Sequence, residues 1–319
     1  MLQEAVEYLV YQVLGIEKAS ALGQTINFFI YDSIKILLLL FFMITAIGFL
    51  RTFIPQKKIR ELLSRKTYGL GYIAAAVFGA VTPFCSCSSI PIFISFIEAG
   101  VPLGITFSFL TTSPVINEYL VVLMLGFFGW KITALYVLSG IAIGVFSGML
   151  IDRMKLEKYL EKDVVAVKDD AKETEYKTMK SRVMFGYSEA ITLVKKLWLW
   201  VLVGVGVGAV IHGFIPEETI QSLISAGGVL TVPIATLIGV PLYANCAAIV
   251  PIAVVLFQKG VPLGTALAFM MATAALSLPE AIILRRVMRI RLILVFFGIV
   301  TAAIIFTGYA FNFLQGIVV

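Results

Sequence analysis

Gly100-Val101-Pro102-Leu103-Gly104 stands again, residue for residue, as Gly260-Val261-Pro262-Leu263-Gly264. Nine residues before each copy comes a proline, Pro91 or Pro251. Further upstream lies a stretch with proline and cysteine: Thr82-Pro83-Phe84-Cys85-Ser86-Cys87-Ser88-Ser89 in the first half, Val240-Pro241-Leu242-Tyr243-Ala244-Asn245-Cys246-Ala247 in the second. Downstream, each half carries a Ser/Pro/Glu break, Ser113-Pro114-Val115-Ile116-Asn117-Glu118 and Ser277-Leu278-Pro279-Glu280. Four features in the same order, two with a small register slip, make an internal repeat. The repeat decides the fold.

The sequence around it is that of a membrane protein. Of 319 residues, 60% are hydrophobic and 14% charged, and the mean hydropathy is +1.00. Soluble domains carry about 45–50% apolar and about 25% charged residues, and this chain has too few polar side chains to cover a water-soluble fold. A cytosolic enzyme and a nucleic-acid binder are excluded despite the net charge of +6. Stretches free of Asp, Glu, Lys and Arg, such as Gly69–Ile97, Thr219–Gln258 and Leu292–Val319, supply several helices of the ~20 apolar residues that a bilayer crossing needs. The opening residues carry Glu4, Glu7 and Glu17 and no basic start, so they do not read as a signal peptide. Val6, Leu9, Val10, Val13 and Leu14 recur at helical spacing, which predicts an amphipathic interfacial helix over 1–25.

Each half then reads alike. A long helix (26–50, 190–214) leads to an amphipathic connector (55–66, 216–226) and an apolar helix that ends at the Pro/Cys break (68–82, 229–241). A short helix (89–99, 248–259) follows, too short to span. It pairs with the preceding helix as a re-entrant or broken hairpin. After the repeated turn come a helix broken by Pro114 or Pro279 and a final span (132–152, 291–314). Residues 26–153 form the first membrane repeat and 188–319 the second. The linker 154–187 lies within Asp152–Glu189, which holds 9 basic and 9 acidic residues and belongs in water. Three crossings per half invert the second repeat relative to the first. With the linker inside, the inner segments (Arg51–Lys66, the linker, Lys195/Lys196 and Arg285–Arg291) carry 21 of the 25 basic residues, as the positive-inside rule requires. The expected fold is an all-α polytopic membrane protein of two inverted repeats, with the linker cytoplasmic and the protein in the cell (inner, plasma) membrane.

Inverted repeats with discontinuous helices are the mark of secondary transporters, and non-helical backbone at membrane depth is tolerated only inside protein or along a watery cavity. The hairpin tips, Thr82–Ser89 and Pro241–Ala248, and the breaks at Thr111–Asn117 and Ser277–Glu280 therefore outline a substrate site. Its candidate residues are Cys85, Ser86, Cys87, Ser88, Thr111, Ser113, Asn117, Asn245 and Cys246, with helix breaks at Pro83, Pro91, Pro114, Pro241, Pro251 and Pro279. Cys85 and Cys87 are expected just before the short helix opened by Ser89 and Pro91. A helix N-terminus favours a thiolate there, and thiolates select soft cations and metalloids. The alternative is that buried cysteine is a small hydrophobe, a reading that suits Cys246 best. Glu118 and Glu280 are acids within apolar helices. Intramembrane acids are functional by default, so both are candidates for proton coupling, with an interfacial Glu280 beside Arg285 and Arg286 as the other option. No metal site, catalytic triad or cofactor motif is visible. The expected partners are a small-molecule or metalloid substrate and the lipid bilayer, with no nucleic acid, and a homo-oligomer is left open.

Thr82 through Pro91, with the later Gly-Val-Pro-Leu-Gly and Ser113-Pro114, resembles the bacterial and archaeal permease family that includes the organoarsenical efflux permeases. The resemblance runs across both halves and the linker. It implies an inner-membrane efflux permease, trivalent methylated arsenicals as substrate, and Cys85 and Cys87 as thiol ligands. A membrane-embedded thiol oxidoreductase using Cys85-Ser86-Cys87 as a redox pair, and a channel, are the readings from other classes. A cyclable disulfide would mark the first, and non-saturable flux the second.

Overall fold

The computed structural model describes residues 2–18, 20–52, 69–82, 86–161, 178–214, 230–242, 246–258 and 260–318. Among them every named element is helical. In chain order these are α1 (Leu2–Glu7), running into a π-helical turn (Tyr8–Val13), then α2 (Ala21–Arg51), α3 (Leu70–Val81), α4 (Ser86–Glu98), α5 (Leu103–Val115) and α6 (Glu118–Arg153). A 3-10 turn (Glu157–Tyr159) follows, then α7 (Met179–Phe214), α8 (Thr231–Gly239), α9 (Cys246–Gln258), α10 (Leu263–Ala275), α11 (Leu278–Leu284) and α12 (Ile290–Val318). Three stretches, Leu120–Arg153, Leu263–Leu284 and Ile290–Gln315, are long and apolar enough to cross a membrane. Their outward faces carry large apolar side chains such as Phe306 and Phe313, 77% and 82% exposed, as a lipid-facing surface requires.

The repeated pentapeptide appears as a repeated structure at a spacing of 160 residues. α4 and α9 have 13 residues each, as do α5 and α10, and their first residues pair as Ser86 with Cys246 and Leu103 with Leu263. Gly100 (φ 76) and Gly260 (φ 87) make the same left-handed turn, which L side chains resist and glycine does not. Pro102 and Pro262 cap the next helix with nearly the same dihedrals (φ −52, ψ 139; φ −55, ψ 141). The register persists downstream. α6 contains one non-helical residue, Gly129 (φ 77, ψ 173), and 160 residues later stands Arg289, directly before α12. The kink of the first half has become a loop in the second.

This register corrects two sequence expectations. The short helices begin at Ser86 and Cys246 rather than at 89 and 248, so Cys87 lies in the first turn of α4 instead of ahead of it. The 160-residue register, which also pairs Gly79 with Gly239, sets Pro241 against Val81 and Pro279 against Tyr119, not against Pro83 and Pro114; Pro83 itself lies outside the described residues. Among the described ones of these prolines, Pro91 and Pro251 occupy equivalent positions, each the sixth residue of its helix. The long helices are also longer than read: α2 starts at Ala21 and α7 at Met179, so residues 179–187 of the expected linker are helical. The connectors 55–66 and 216–226 lie outside the described residues. At the N-terminus the apolar positions divide: Val6 and Val10 are buried, whereas Leu9, Val13 and Leu14 are exposed.

Long-range contacts order the layers. α2 and α7 pack antiparallel along their length: Gly186 abuts the Thr45 carbonyl, Phe29 lies against Gly206, and the Arg182 guanidinium donates to the Thr52 carbonyl at 2.6 Å. α5 is almost wholly buried and packs on α3, α4, α6 and α10. Its contact with α6 is made by Gly140, Gly144 and Gly148, where an added Cβ would meet Ile116, Thr112 and Ser108 in turn. Small residues four apart let helices approach to backbone distance. In the second half the small face changes sides, to Gly264, Ala268 and Ala272 on α10, with Gly308 opposite Gly264.

Candidate functional site

Ser113 joins the two helices on either side of the first Pro/Cys break. Its amide lies 3.2 Å from where a Cβ on Gly79 would stand, and its hydroxyl is 2.8 Å from that of Ser89. Gly79 is on α3 and Ser89 on α4, so both helices touch the same residue of α5. Ser89 and Ser113 are fully buried. A buried hydroxyl needs a hydrogen-bond partner, and here one hydroxyl donates to the other. α3 closes at Thr82, which is extended (φ −84, ψ 129) and donates its hydroxyl proton to the Gly79 carbonyl at 3.1 Å.

Prolines free backbone acceptors beside this break. Pro91 inside α4 and Pro114 inside α5 carry no N–H, so the carbonyls four residues earlier, of Cys87 and Leu110, lose their helical donors. α5 then ends, and Ile116 (φ −113, ψ 77) breaks the helix. The released Val115 carbonyl accepts from the Tyr136 hydroxyl at 2.8 Å, both being buried. Thr111 and Thr112 donate to Phe107 and Ser108 carbonyls of their own helix at 2.8 and 2.9 Å, which leaves their lone pairs as acceptors. Asn117, 7% exposed, precedes α6, and its carbonyl accepts from Val121 N–H at 3.0 Å.

Thr111, Ser113 and Asn117 are thus brought into one buried region. Cys85, Pro83 and Asn245 lie outside the described residues. Of Ser86, Cys87, Ser88, Cys246, Pro251 and Glu118 the backbone is described: Ser86, Cys87 and Ser88 form the first turn of α4, Cys246 opens α9, Pro251 lies within α9, and Glu118 opens α6. Pro241 directly follows the C-cap of α8, and Pro279 sits at the start of α11, where a missing N–H costs nothing. Glu280 is 1% exposed, and Arg285, one of the two arginines that follow it, pairs with Glu161 at 3.4 Å. Ser277 caps α11 by accepting from Glu280 N–H at 3.2 Å. The two acids are not equivalent, since the register matches Glu118 with Leu278 and Glu280 with Leu120.

The same register shows where the chemistry is concentrated. Cys87, Ser88 and Ser89 correspond to Ala247, Ala248 and Ile249, and Ser113 to Thr273, whose hydroxyl donates within its helix to Phe269 at 2.9 Å. Among the described residues, the hydroxyls at the start of the short helix belong to the first half, where the second has alanine and isoleucine. Three contributors escaped the sequence reading. Tyr136 was marked only by being an aromatic with a polar tip inside an apolar run. The Gly140/Gly144/Gly148 spacing was visible as a small-residue ladder. Asp32 on α2, which with Lys35 reads from sequence as the watery outer end of its helix, is 7% exposed.

Comparison with known proteins places these features. Residues 21–313 match the model of the ArsP_1 family, described as predicted permease. A UPF0718 protein of Methanocaldococcus jannaschii is 21% identical over 296 residues, covering 75% of this chain and 81% of its own length. A Streptococcus mutans protein, provisionally named as a subunit of a two-component membrane permease complex, is 23% identical over 203 residues (61% of this chain, 65% of that protein). The UPF0718 protein YcgR of Bacillus subtilis is 28% identical over 118 residues, 36% of this chain and 40% of its own. No solved structure matches significantly.

Proposed function

We propose, from the premise that this chain belongs to the ArsP_1 family of predicted permeases, that it is a secondary-active exporter of a soft, thiol-reactive solute such as a trivalent organoarsenical. Cys85 and Cys87 bind the solute reversibly, the two hairpin tips close in alternation, and Glu118 or Glu280 carries the coupling proton. A monomethyl trivalent arsenical has two exchangeable positions, and two neighbouring thiolates fill both. The observation that carries this reading is the buried Ser89–Ser113 hydrogen bond. It ties the helix opened by the Cys-Ser-Cys segment to the broken helix α5, so occupancy at the thiols and the geometry of the break are mechanically linked.

The antiparallel packing of α2 against α7 and the 160-residue register support two inverted repeats in the plasma membrane, with the central linker cytoplasmic. Alternating access by rocking one repeat against the other follows from that symmetry. The test is transport into inverted membrane vesicles across trivalent methylarsenicals, antimonials and small sulfur compounds. Cys85→Ser and Cys87→Ser should each weaken apparent affinity for a thiophilic substrate by about tenfold or more, the scale seen when a ligand shell is disturbed. Unchanged efflux of every thiophilic substrate in the double variant removes the thiol-ligand role.

A further inference from the structure

The end of α6 and the loop between α11 and α12 are far apart in sequence, yet they are sewn together at one end of the molecule. Leu160 and Met288 form an antiparallel bridge. Arg289 N–H donates to the Tyr159 carbonyl at 2.8 Å and Glu161 N–H to the Val287 carbonyl at 3.0 Å, while Arg285 pairs with Glu161 at 3.4 Å. Leu156, Leu160, Val287 and Met288 are buried beneath this strap. The turn into it runs through Lys155, the one non-glycine residue with positive φ (49) among the described residues, a conformation such residues rarely adopt.

We infer that this strap is a binding site for the headgroup of an anionic phospholipid. Five cations of the two joined segments are exposed, Arg153, Lys155, Lys158, Arg289 and Arg291, against one exposed carboxylate, Glu157. Glu161 is already engaged by Arg285. The hydrogen-bonded strap holds these cations in a fixed group, which lets guanidinium donors meet phosphate oxygens in defined geometry. The group also lies at a membrane boundary, because two of the stretches long enough to span end and begin there, at Arg153 and Ile290. Basic clusters at such boundaries attract anionic lipids. Phosphate is common to lipid headgroups and to the free ion, but Met154, Ile290 and Leu294 are 46%, 51% and 64% exposed among these cations. That apolar surface suits acyl chains and offers a free ion nothing. The cations also mark Tyr159: a hydrogen bond from Arg291, then the nearby Lys158 charge, hold its phenol below the ordinary range.

The experiment uses the full chain purified in neutral detergent and titrated with phosphatidylglycerol, phosphatidylcholine or inorganic phosphate, with bound lipid read by native mass spectrometry. Phosphatidylglycerol should bind in preference to the other two. The combined variant Arg153→Gln, Lys155→Gln, Arg289→Gln, Arg291→Gln should bind it about tenfold more weakly, since each juxtamembrane cation contributes to the attraction. Lys131→Gln, an exposed cation of α6 outside the strap, should bind as the unmodified protein does. On the unmodified protein, raising ionic strength should weaken the binding, a reading that does not depend on how the combined variant folds. Equal binding of phosphatidylcholine, equal binding of inorganic phosphate, salt-independent binding, or equal losses in Lys131→Gln and the combined variant would each overturn the site. None of these outcomes depends on which solute is transported, so the export reading and this one fail separately.

Discussion

Tyr136 and Ser113 show how single side chains make a broken helix tolerable inside an apolar protein. Ending α5 at Val115 strands a carbonyl in the interior, and the Tyr136 hydroxyl satisfies it at 2.8 Å. Tyr136→Phe keeps the shape and removes the donor, leaving a buried acceptor unmet at a cost of about 1–3 kcal/mol. The expected outcome is a lower unfolding midpoint in detergent, with helix content unchanged by circular dichroism before the transition; a midpoint equal to that of the unmodified protein would show that Val115 finds another donor. Ser113, Thr111 and Asn117 were legible as site residues because hydroxyl and amide groups in an apolar run beside Pro114 call for a reason. Tyr136 was not, because its partner is a backbone carbonyl that becomes an orphan only once the break at Ile116 is known.

At the scale of elements, the closeness of α5 and α6 depends on what α6 lacks. A Cβ on Gly144 would run into Thr112 Oγ1, and one on Gly148 into Ser108 Oγ and the Gly104 carbonyl. Gly144→Ala and Gly148→Ala should therefore destabilise by about 1–3 kcal/mol through overpacking. Gly126, on the same helix with nothing within 4 Å of its added Cβ, gives the opposite sign: Gly126→Ala should stabilise by about 0.5–1 kcal/mol through reduced chain entropy. Chemical denaturation of the three variants in one detergent checks the pattern. If Gly144→Ala and Gly126→Ala shift stability alike, the α5–α6 contact is looser than described. The exchange of the small face between halves, from Gly140, Gly144 and Gly148 on α6 to Gly264, Ala268 and Ala272 on α10, also explains why the repeat was legible in its turns but hardly in its helices. Turn geometry demands particular residues at Gly100 and Pro102 and at Gly260 and Pro262. Close packing demands only that one of two facing residues be small. Matching prolines by proximity misled for the same reason: Pro114 lies inside α5, whereas Pro279 lies in the first turn of α11.

At the scale of the whole molecule, charge distribution and tertiary contacts make independent statements about sidedness. The positive-inside rule sorts the basic segments onto one face. The structure joins members of that set pairwise: the end of α2 meets the start of α7 through Thr52 and Arg182, and the end of α6 meets the start of α12 through the strap of Tyr159–Glu161 on Val287–Arg289. Each pair links the close of a first-half helix to the opening of a second-half helix. Neither strap nor pairing could be read from the chain, since contacts between distant loops leave no local periodicity. Together they predict a labelling pattern. In a background with Cys85, Cys87 and Cys246 replaced by serine, single cysteines at Thr52, Lys158, Lys180 and Arg289 should react with a membrane-impermeant maleimide in inverted vesicles and not in intact cells. Lys131→Cys, just beyond the Gly129 kink at the far end of the α6 span, should show the reverse. Thr52 and Lys180 reacting from opposite sides would break the inverted arrangement at its first helix pair, and Lys158 and Arg289 doing so would break it at the last. If all four react from one face together with Lys131, α6 does not cross the membrane, and the three-crossing repeat fails whatever the protein transports.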